Sequence, residues 1–401
     1  MDYTDLKDYL TIVCQVTCDG ELISESIIDS DSMPSIPPHE NGTVILDAKI
    51  PGAGKCYLKL NYLHKCDAEL LPEGALLGFD ELPLGNSDWG NRTAAAMLAE
   101  TVTSPIDSAS RLIVREEDRY LFVSNSLFSY TYNKLTGIWE DMIFANTRLL
   151  EQPMQFNLWR APTDNDRNLK HLWFRANYDK TIARAYDTTY TIETGNGENQ
   201  VIIRTSLSIS ALFTQRILTI EAQWIVSGGG KLDVTLNVNK DPEFPMLPRF
   251  GLRLFLPGEM SRVTYYGQGP MENYPDKYRA SWHGLFHSPV SALHEDYLRP
   301  QENGSHNDCD YVILTGRRNT LAAAGPKPFS FNASVYTQEE LAEKAHNYEL
   351  QESPYTVLCL DYRQNGIGSN SCGPKLLDKY RFDETTFTFA ITLVPSLNMD
   401  T

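Results

Sequence analysis

The 401-residue sequence is poor in three things, and each shortage removes a class of explanation. It has no apolar run near the roughly 20 residues that span a bilayer, and its acidic opening, Met1-Asp2-Tyr3-Thr4-Asp5, is the reverse of a secretory leader. The expectation is a soluble, unexported chain of cytoplasmic type that no membrane holds. It also lacks a Lys/Arg stripe to offset a formal charge of −17, so a phosphate backbone is repelled and nucleic acid is not expected as a partner. A neutral ligand such as a sugar is compatible with that field. Cysteine is sparse, seven thinly spread residues, which fits reduced thiols rather than a disulfide framework. Cys14-x3-Cys18 and Cys56-x9-Cys66 lack the second tight pair or the His-x3-His of a zinc site, so buried strand cysteines are the plainer reading and no metal is expected there.

What is present is an ordinary globular composition, 42% hydrophobic and 22% charged, over a length that accommodates two or more cores. Period-2 alternation dominates. Leu232, Val234, Leu236 and Val238 oppose Asp233, Thr235, Asn237 and Asn239, and Leu218, Ile220, Ala222, Trp224 and Val226 alternate just before them. Ser227-Gly228-Gly229-Gly230 makes the two segments a hairpin. Phe387, Phe389, Ile391 and Leu393 form another strand, expected to end at Pro395. Helical signals are few: Thr337-x-x-Glu340 is a capping box opening a helix to His346, and residues 168–179 have room for a short one. An all-β fold of stacked antiparallel sheets follows.

The strand pattern breaks between about Asn86 and Ser110. Residues 1–90, with strands at Leu10 to Val16, Thr43 to Ile50 and Cys56 to Leu63, have the size of an immunoglobulin-like β-sandwich. Residues 91–107 read as a linker and 108–401 as a larger domain.

Five loops are too rich in Asn, Asp, Gly, Pro and aromatics to be plain connections. They are Phe156-Asn157-Leu158-Trp159-Arg160-Ala161-Pro162-Thr163-Asp164-Asn165-Asp166, Gly267-Gln268-Gly269-Pro270-Met271-Glu272-Asn273-Tyr274-Pro275-Asp276, Pro300-Gln301-Glu302-Asn303-Gly304, Phe331-Asn332-Ala333-Ser334 with Tyr336, and Asp361 through Gly366-Ile367-Gly368-Ser369-Asn370-Ser371-Cys372-Gly373-Pro374. In this order they resemble the signatures of the last domain of family 2 β-galactosidases, and residues 75–84 resemble the end of the immunoglobulin-like domain before it. The resemblance covers nearly the whole chain.

It implies that residues 108–401 adopt the galactose-mutarotase-like antiparallel supersandwich. It also implies that the parent enzyme hydrolyses terminal non-reducing β-D-galactosides, lactose among them, with retention. Retaining hydrolysis needs an acid/base and a nucleophile about 5 Å apart. In the family these are two glutamates of a barrel domain that nothing here matches, so no catalytic residue is assigned and the chain alone is expected to be inactive. The resemblance further implies a first sandwich cut at its N-terminal edge, as in a fragment or the smaller half of a split enzyme. The expected partner is the catalytic barrel, in the same chain or another; Mg and Na are expected mainly in that barrel, no cofactor is expected here, and a homo-oligomer is left open.

By the resemblance, the loop at 366–374 reaches toward the barrel's pocket, where many members present a Trp. Here Cys372 stands nearest that position in a loop one residue shorter, so Ser369, Asn370, Ser371 and Cys372 are the candidate sugar-facing residues, with a weaker acceptor subsite because a thiol offers no ring face. A tight glycine turn is the competing reading. Arg160, Asp164, Asn165 and Asp166, Glu272, Asn273 and Asp276, and Glu302 and Asn303 are candidates either for sugar contact or for fixing their own loops. Two other classes of function stay open. An aldose mutarotase or epimerase would use His283, His287 or His306 with a carboxylate for proton transfer. A carbohydrate-binding module would use exposed members of the six Trp and 21 Tyr.

Overall fold

In the computed structural model, residues 3–46, 48–85, 90–99, 111–195 and 198–398 are described. The proposed boundary therefore lies partly outside them, at 86–89 and 100–110. The chain divides into two compact units, residues 1–95 with Trp282–Leu285, and Ala96–Ser281 with Phe286–Thr401.

In the first unit a short helix, α1 (Leu6–Tyr9), capped by the Asp5 carboxylate, leads into β1 (Leu10–Cys18), followed by β2 (Glu21–Ile28), β3 (Cys56–His64) and β4 (Leu76–Leu84). They form one antiparallel sheet in the order β2-β1-β3-β4. Cys14, Val16 and Leu58 lie buried on one face with Ile28 and Met33, and Val44, Leu46 and Ala48 pack over them. The alternation seen at 43–50 is thus used, every second side chain meeting the sheet, yet no ladder forms there among the described residues, because no neighbouring strand meets its backbone. The reduced-thiol expectation is corrected. Cys18 and Cys56 are directly opposed across β1 and β3, 4.0 Å apart at Cα, and are joined as a disulfide. Of the other cysteines, Cys14, Cys309 and Cys359 are buried, and Cys66 and Cys372 are exposed.

Helix α2 (Arg92–Ala99) occupies part of the stretch read as a linker and holds the division between the units. The second unit opens with a five-stranded meander, β5 (Ile113–Glu116), β6 (Tyr120–Ser124), β7 (Phe128–Asn133), β8 (Ile138–Phe144) and β9 (Thr147–Arg148). The large sheet is built from β10 (Gln152–Asn157), β11 (Thr181–Gly195), β12 (Glu198–Ala211), β13 (Leu218–Ser227), β14 (Leu232–Lys240), β15 (Arg249–Pro257), β16 (Arg262–Gly269), β17 (Trp282–Pro289), β18 (Ser305–Thr315), β19 (Asn319–Ser334), β20 (Tyr355–Gln364) and β21 (Thr386–Leu397). Nine of these run in the order β10-β15-β20-β19-β21-β14-β13-β12-β11, with β18, β16 and β17 branching from β19. The two sheets share one core in which Trp139 meets Trp224 edge to face, ring centres 6.1 Å apart, beside Tyr132 and Leu207. The fold is all-β.

The hairpin forms as read, with Val234 opposite Trp224 and the Ser227–Gly230 turn between the strands. Helix α4 (Gln338–Glu343) is capped by the Thr337 hydroxyl, which accepts from Glu340 N at 3.1 Å, and α3 (Lys170–Arg175) falls within 168–179. Pro395 does not end its strand. Pairing with β14 stops at Leu393, so the proline's missing N–H faces an unpaired edge while β19 holds the other side through Leu321.

Candidate functional site

The five segments gather in the second unit around residues 366–373, a loop that leaves the end of β20; residues 331–334, expected as a loop, are instead the end of strand β19, paired with β20. The base of the 366–373 loop is buried and its tip exposed. Asp276 grips the base: one carboxylate oxygen accepts from Ile367 N at 2.8 Å and the other from Gly368 N at 2.6 Å. Asn165 holds the next turn, its amide donating to Gly368 O at 2.7 Å and its carbonyl accepting from Ser371 Oγ at 2.7 Å. Asn168 donates to Asn370 O at 3.2 Å. Gly368 has φ +69°, a backbone state that a Cβ strains. At the tip, Cys372 N and Gly373 N both donate to Ser369 O, a tight turn that leaves Ser369, Ser371 and Cys372 exposed.

Beneath the base lies a buried ionic layer. Arg160 is fully buried and forked on Asp166, at 2.7 and 3.2 Å, while donating to Asn365 O and Gly366 O at 2.6 and 3.1 Å. Asp166 also accepts from Thr163 N, closing the entry turn on itself. The second arginine, Arg249, sits in a pocket made by Asp361, Glu302 and Asn332, donating to both carboxylates and, at 2.9 Å, to Asn332 Oδ1. Burial alone would lower its pKa, but the charges of Asp361 and Glu302 hold it well above the ordinary value. Burial pushes the Asp361 carboxyl above the usual carboxylate range, against the pull of Arg249.

Beside the base is a cleft of about 360 Å³ with Asp164, Asn165, Glu272, Asp276, Lys277 and Tyr297 in its wall. Glu272 is bound by Lys277 Nζ at 2.6 Å, by the Tyr297 hydroxyl and by Gly304 N at 3.0 Å. Burial and that carboxylate push the Tyr297 phenol up to about 12. Asn273 bridges Gln268 O, Met271 O and Asn307 N, and Asn303 accepts from Glu295 N. Asp164 places its backbone N–H on Gln301 Oε1. Gly304 has φ +67°, and a Cβ there would lie 2.5 Å from Leu293 O.

Every loop candidate from the sequence therefore falls in this assembly, and the structure divides them. Arg160, Asp166, Glu272, Asn273, Glu302 and Asn303 are buried and engaged in fixing loops, whereas Asp164, Asn165 and the tip residues reach solvent. Asp276, weighed from the sequence between sugar contact and fixing its own loop, instead anchors the neighbouring loop through Ile367 and Gly368, and sequence reasoning missed Arg249, a lone cation in an apolar strand that no motif marks. Among the described residues no group of three or more His, Cys, Asp or Glu side chains is arranged for a metal. The clustered carboxylates are already engaged by Lys277, Arg249 and backbone N–H groups, which is no ligand set. No described helix is long and apolar enough to cross a membrane.

The histidines do not make a proton-transfer site. His306 is 1% exposed, donates from Nδ1 to Gln268 O and lies against Phe331 and Tyr265; burial lowers its pKa to about 4. His283 lies flat on Tyr57 within the first unit, its Nδ1 2.8 Å from Glu81. His287 shares a hydrogen bond with the Thr264 hydroxyl at the surface.

The model of the β-galactosidase small chain matches residues 124–393, and that of β-galactosidase domain 4 matches residues 1–85. A β-galactosidase of Actinobacillus pleuropneumoniae is 38% identical over 396 residues, covering 98% of this chain and 37% of that protein. One of Staphylococcus xylosus is 30% identical over 393 residues, covering 98% and 38%. The chain thus spans little more than a third of these relatives' length. Among solved structures, a galactose mutarotase-like protein from Lactobacillus casei aligns with 72% of this chain and 100% of that one, at 9% identity and a TM-score of 0.36. On the match over 124–393 and the identity across nearly all its length, the chain belongs to the β-galactosidase small-chain family.

Proposed function

We infer that this chain is the part of a retaining β-galactosidase that completes a sugar site whose catalytic carboxylates lie on another domain. The whole enzyme, in this reading, cleaves terminal non-reducing β-D-galactosides such as lactose in the cytoplasm, and this part carries no hydrolytic activity alone. The observation that carries the reading is the loop at 366–373. Its base is clamped by Asp276, Asn165 and Arg160, while at its tip Ser369, Ser371 and Cys372 are exposed and Asn370 partly so. Rigid support under an exposed polar tip is what a substrate-positioning element requires, since a displacement of about 1 Å costs roughly 100-fold in rate. Among the described residues, the buried carboxylates beneath and beside this loop, Asp166, Glu272, Glu302 and Asp361, are engaged in ion pairs and loop anchors. The proton donor, the nucleophile and the Mg and Na ions expected of the family are therefore assigned to the absent barrel, the partner of this chain.

Cys372 presents a small thiol where a ring would offer a stacking face, so the acceptor subsite is open. The test is Cys372→Trp in the complete enzyme. The ring is expected to lower KM for lactose several-fold with little change toward an aryl galactoside. Identical kinetics for both substrates would remove the loop from the sugar site. A free-standing mutarotase is disfavoured by the burial of His306, and its assay is anomer interconversion by this chain.

A further inference from the structure

We propose that the second unit carries a separate saccharide-binding groove where β20 and β21 diverge. Strand β19 changes partner along its length: residues 319–324 pair with β21 and residues 330–334 with β20. Between them Gly325-Pro326-Lys327-Pro328-Phe329 matches neither strand. The two neighbours therefore splay apart beyond the fork, and no described strand lies against residues 386–391 of β21 on that side.

The fork holds two adjoining hollows of about 660 and 220 Å³, which share Asp308, Pro328, Phe329 and Tyr362. Their sizes lie at and below the range of about 300–1,000 Å³ usual for small-ligand sites. Pro326, Pro328 and partly exposed Ala390 form an apolar floor, backed from the core by Phe329 and Phe389, 3% and 2% exposed. Tyr362 is half-buried at the rim, stacked on Phe387 with ring centres 4.7 Å apart and an interplanar angle of 12°. Tyr278 and Pro275 extend the apolar surface at the smaller end. Amide, hydroxyl and ionic groups surround it, and their charges cancel: Arg363 is paired with Glu384, whose other oxygen accepts from the Tyr362 hydroxyl at 2.9 Å, and Lys327 stands with Asp308.

That chemistry selects the occupant. Half-buried rings over a hydrophobic floor suit the C–H face of a pyranose, and the surrounding donors and acceptors suit its hydroxyls. A charge-balanced lining in a chain of net charge −17 favours a neutral ligand over an ionic one. A peptide strand does not fit, because Tyr362 with Phe387 and Arg363 with Glu384 already bridge the two lips, and β19 closes the inner end. The groove and the 366–373 loop are distinct, so either assignment stands if the other fails.

The test uses the 401-residue chain as it is, titrated with methyl β-D-galactopyranoside, lactose and cellobiose by calorimetry and saturation-transfer NMR. At least one of the three is expected to bind with Kd of about 1–10 mM. Ala390→Leu, which extends an aliphatic side chain over the half-exposed floor of β21, is expected to weaken that binding at least tenfold with the thermal midpoint unchanged. Tyr362→Ala is expected to abolish it. Absence of binding by all three sugars up to about 100 mM, or binding that survives Ala390→Leu undiminished, overturns the proposal.

Discussion

Asp276 is the residue whose loss should release the 366–373 loop without loosening the fold. Its two carboxylate oxygens each take one backbone N–H, from Ile367 and Gly368, across 91 and 92 residues of sequence. A hydrogen bond to an ionised acceptor contributes about 1.5–3 kcal/mol, and a stranded donor costs a similar amount. Asp276→Asn keeps one oxygen but turns an NH2 toward the other N–H, so one such bond is lost. The expected cost is about 2–3 kcal/mol of local stability, which raises the open population of the loop about 30- to 150-fold. Native-state hydrogen exchange reads this directly. Amides of Ile367 and Gly368 should exchange faster by that factor, while those of Val234 and Trp224, paired in the central hairpin, should not change. Unchanged rates at 367 and 368 would refute the clamp, and equal acceleration in the hairpin would show that Asp276 supports the whole unit rather than the loop.

Two further substitutions probe the layer below. His306 is held neutral by burial, its pKa near 4 against an ordinary 6.5. Between those values the unfolded chain binds a proton that the native state refuses, so stability is fully present above pH 6.5 and falls on acidification toward 4, by about 3 kcal/mol for this group. In His306→Gln the urea midpoint should lose that part of its slope between pH 6.5 and 4; an unchanged slope contradicts the burial argument. Arg249→Met strands Asp361 and Glu302 as buried carboxylates without their cation, at a cost of about 3–5 kcal/mol. A urea midpoint equal to that of the parent chain would mean the pair is not what holds this layer.

The sequence made some parts of this molecule plain and hid others for identifiable reasons. Alternation marks a strand when one face is buried and the other wet, and the segments 218–226 and 232–239 are such a case. The same alternation at 43–50 marks side chains that pack but says nothing of whether a second backbone lies alongside. Cys18 and Cys56 become partners only through the antiparallel register of β1 and β3, information that lies in pairing and not in spacing. Pro395 was misread because a proline's cost depends on which edge is paired. At the site, the five loop segments were visible as unusual polar composition, and their polar residues do meet. Their division into anchors and exposed tip was not visible, since Arg160 and Asn165 belong to one motif yet one is fully buried and the other is not. Arg249 carried no signal at all, being a single cation among apolar strand residues whose meaning comes from Asp361 and Glu302, 112 and 53 positions away.

The most direct measurement is the turnover of a chromogenic β-galactoside by this chain, purified from a host lacking β-galactosidase, first alone and then mixed with the separately produced remainder of the enzyme. No hydrolysis above background alone, and activity that appears and saturates as the second polypeptide is added, is the outcome expected if the chain completes a site whose acid and nucleophile lie elsewhere. Steady turnover by the 401 residues alone would contradict it, because the carboxylates that the chain brings together are already engaged as ion pairs and loop anchors.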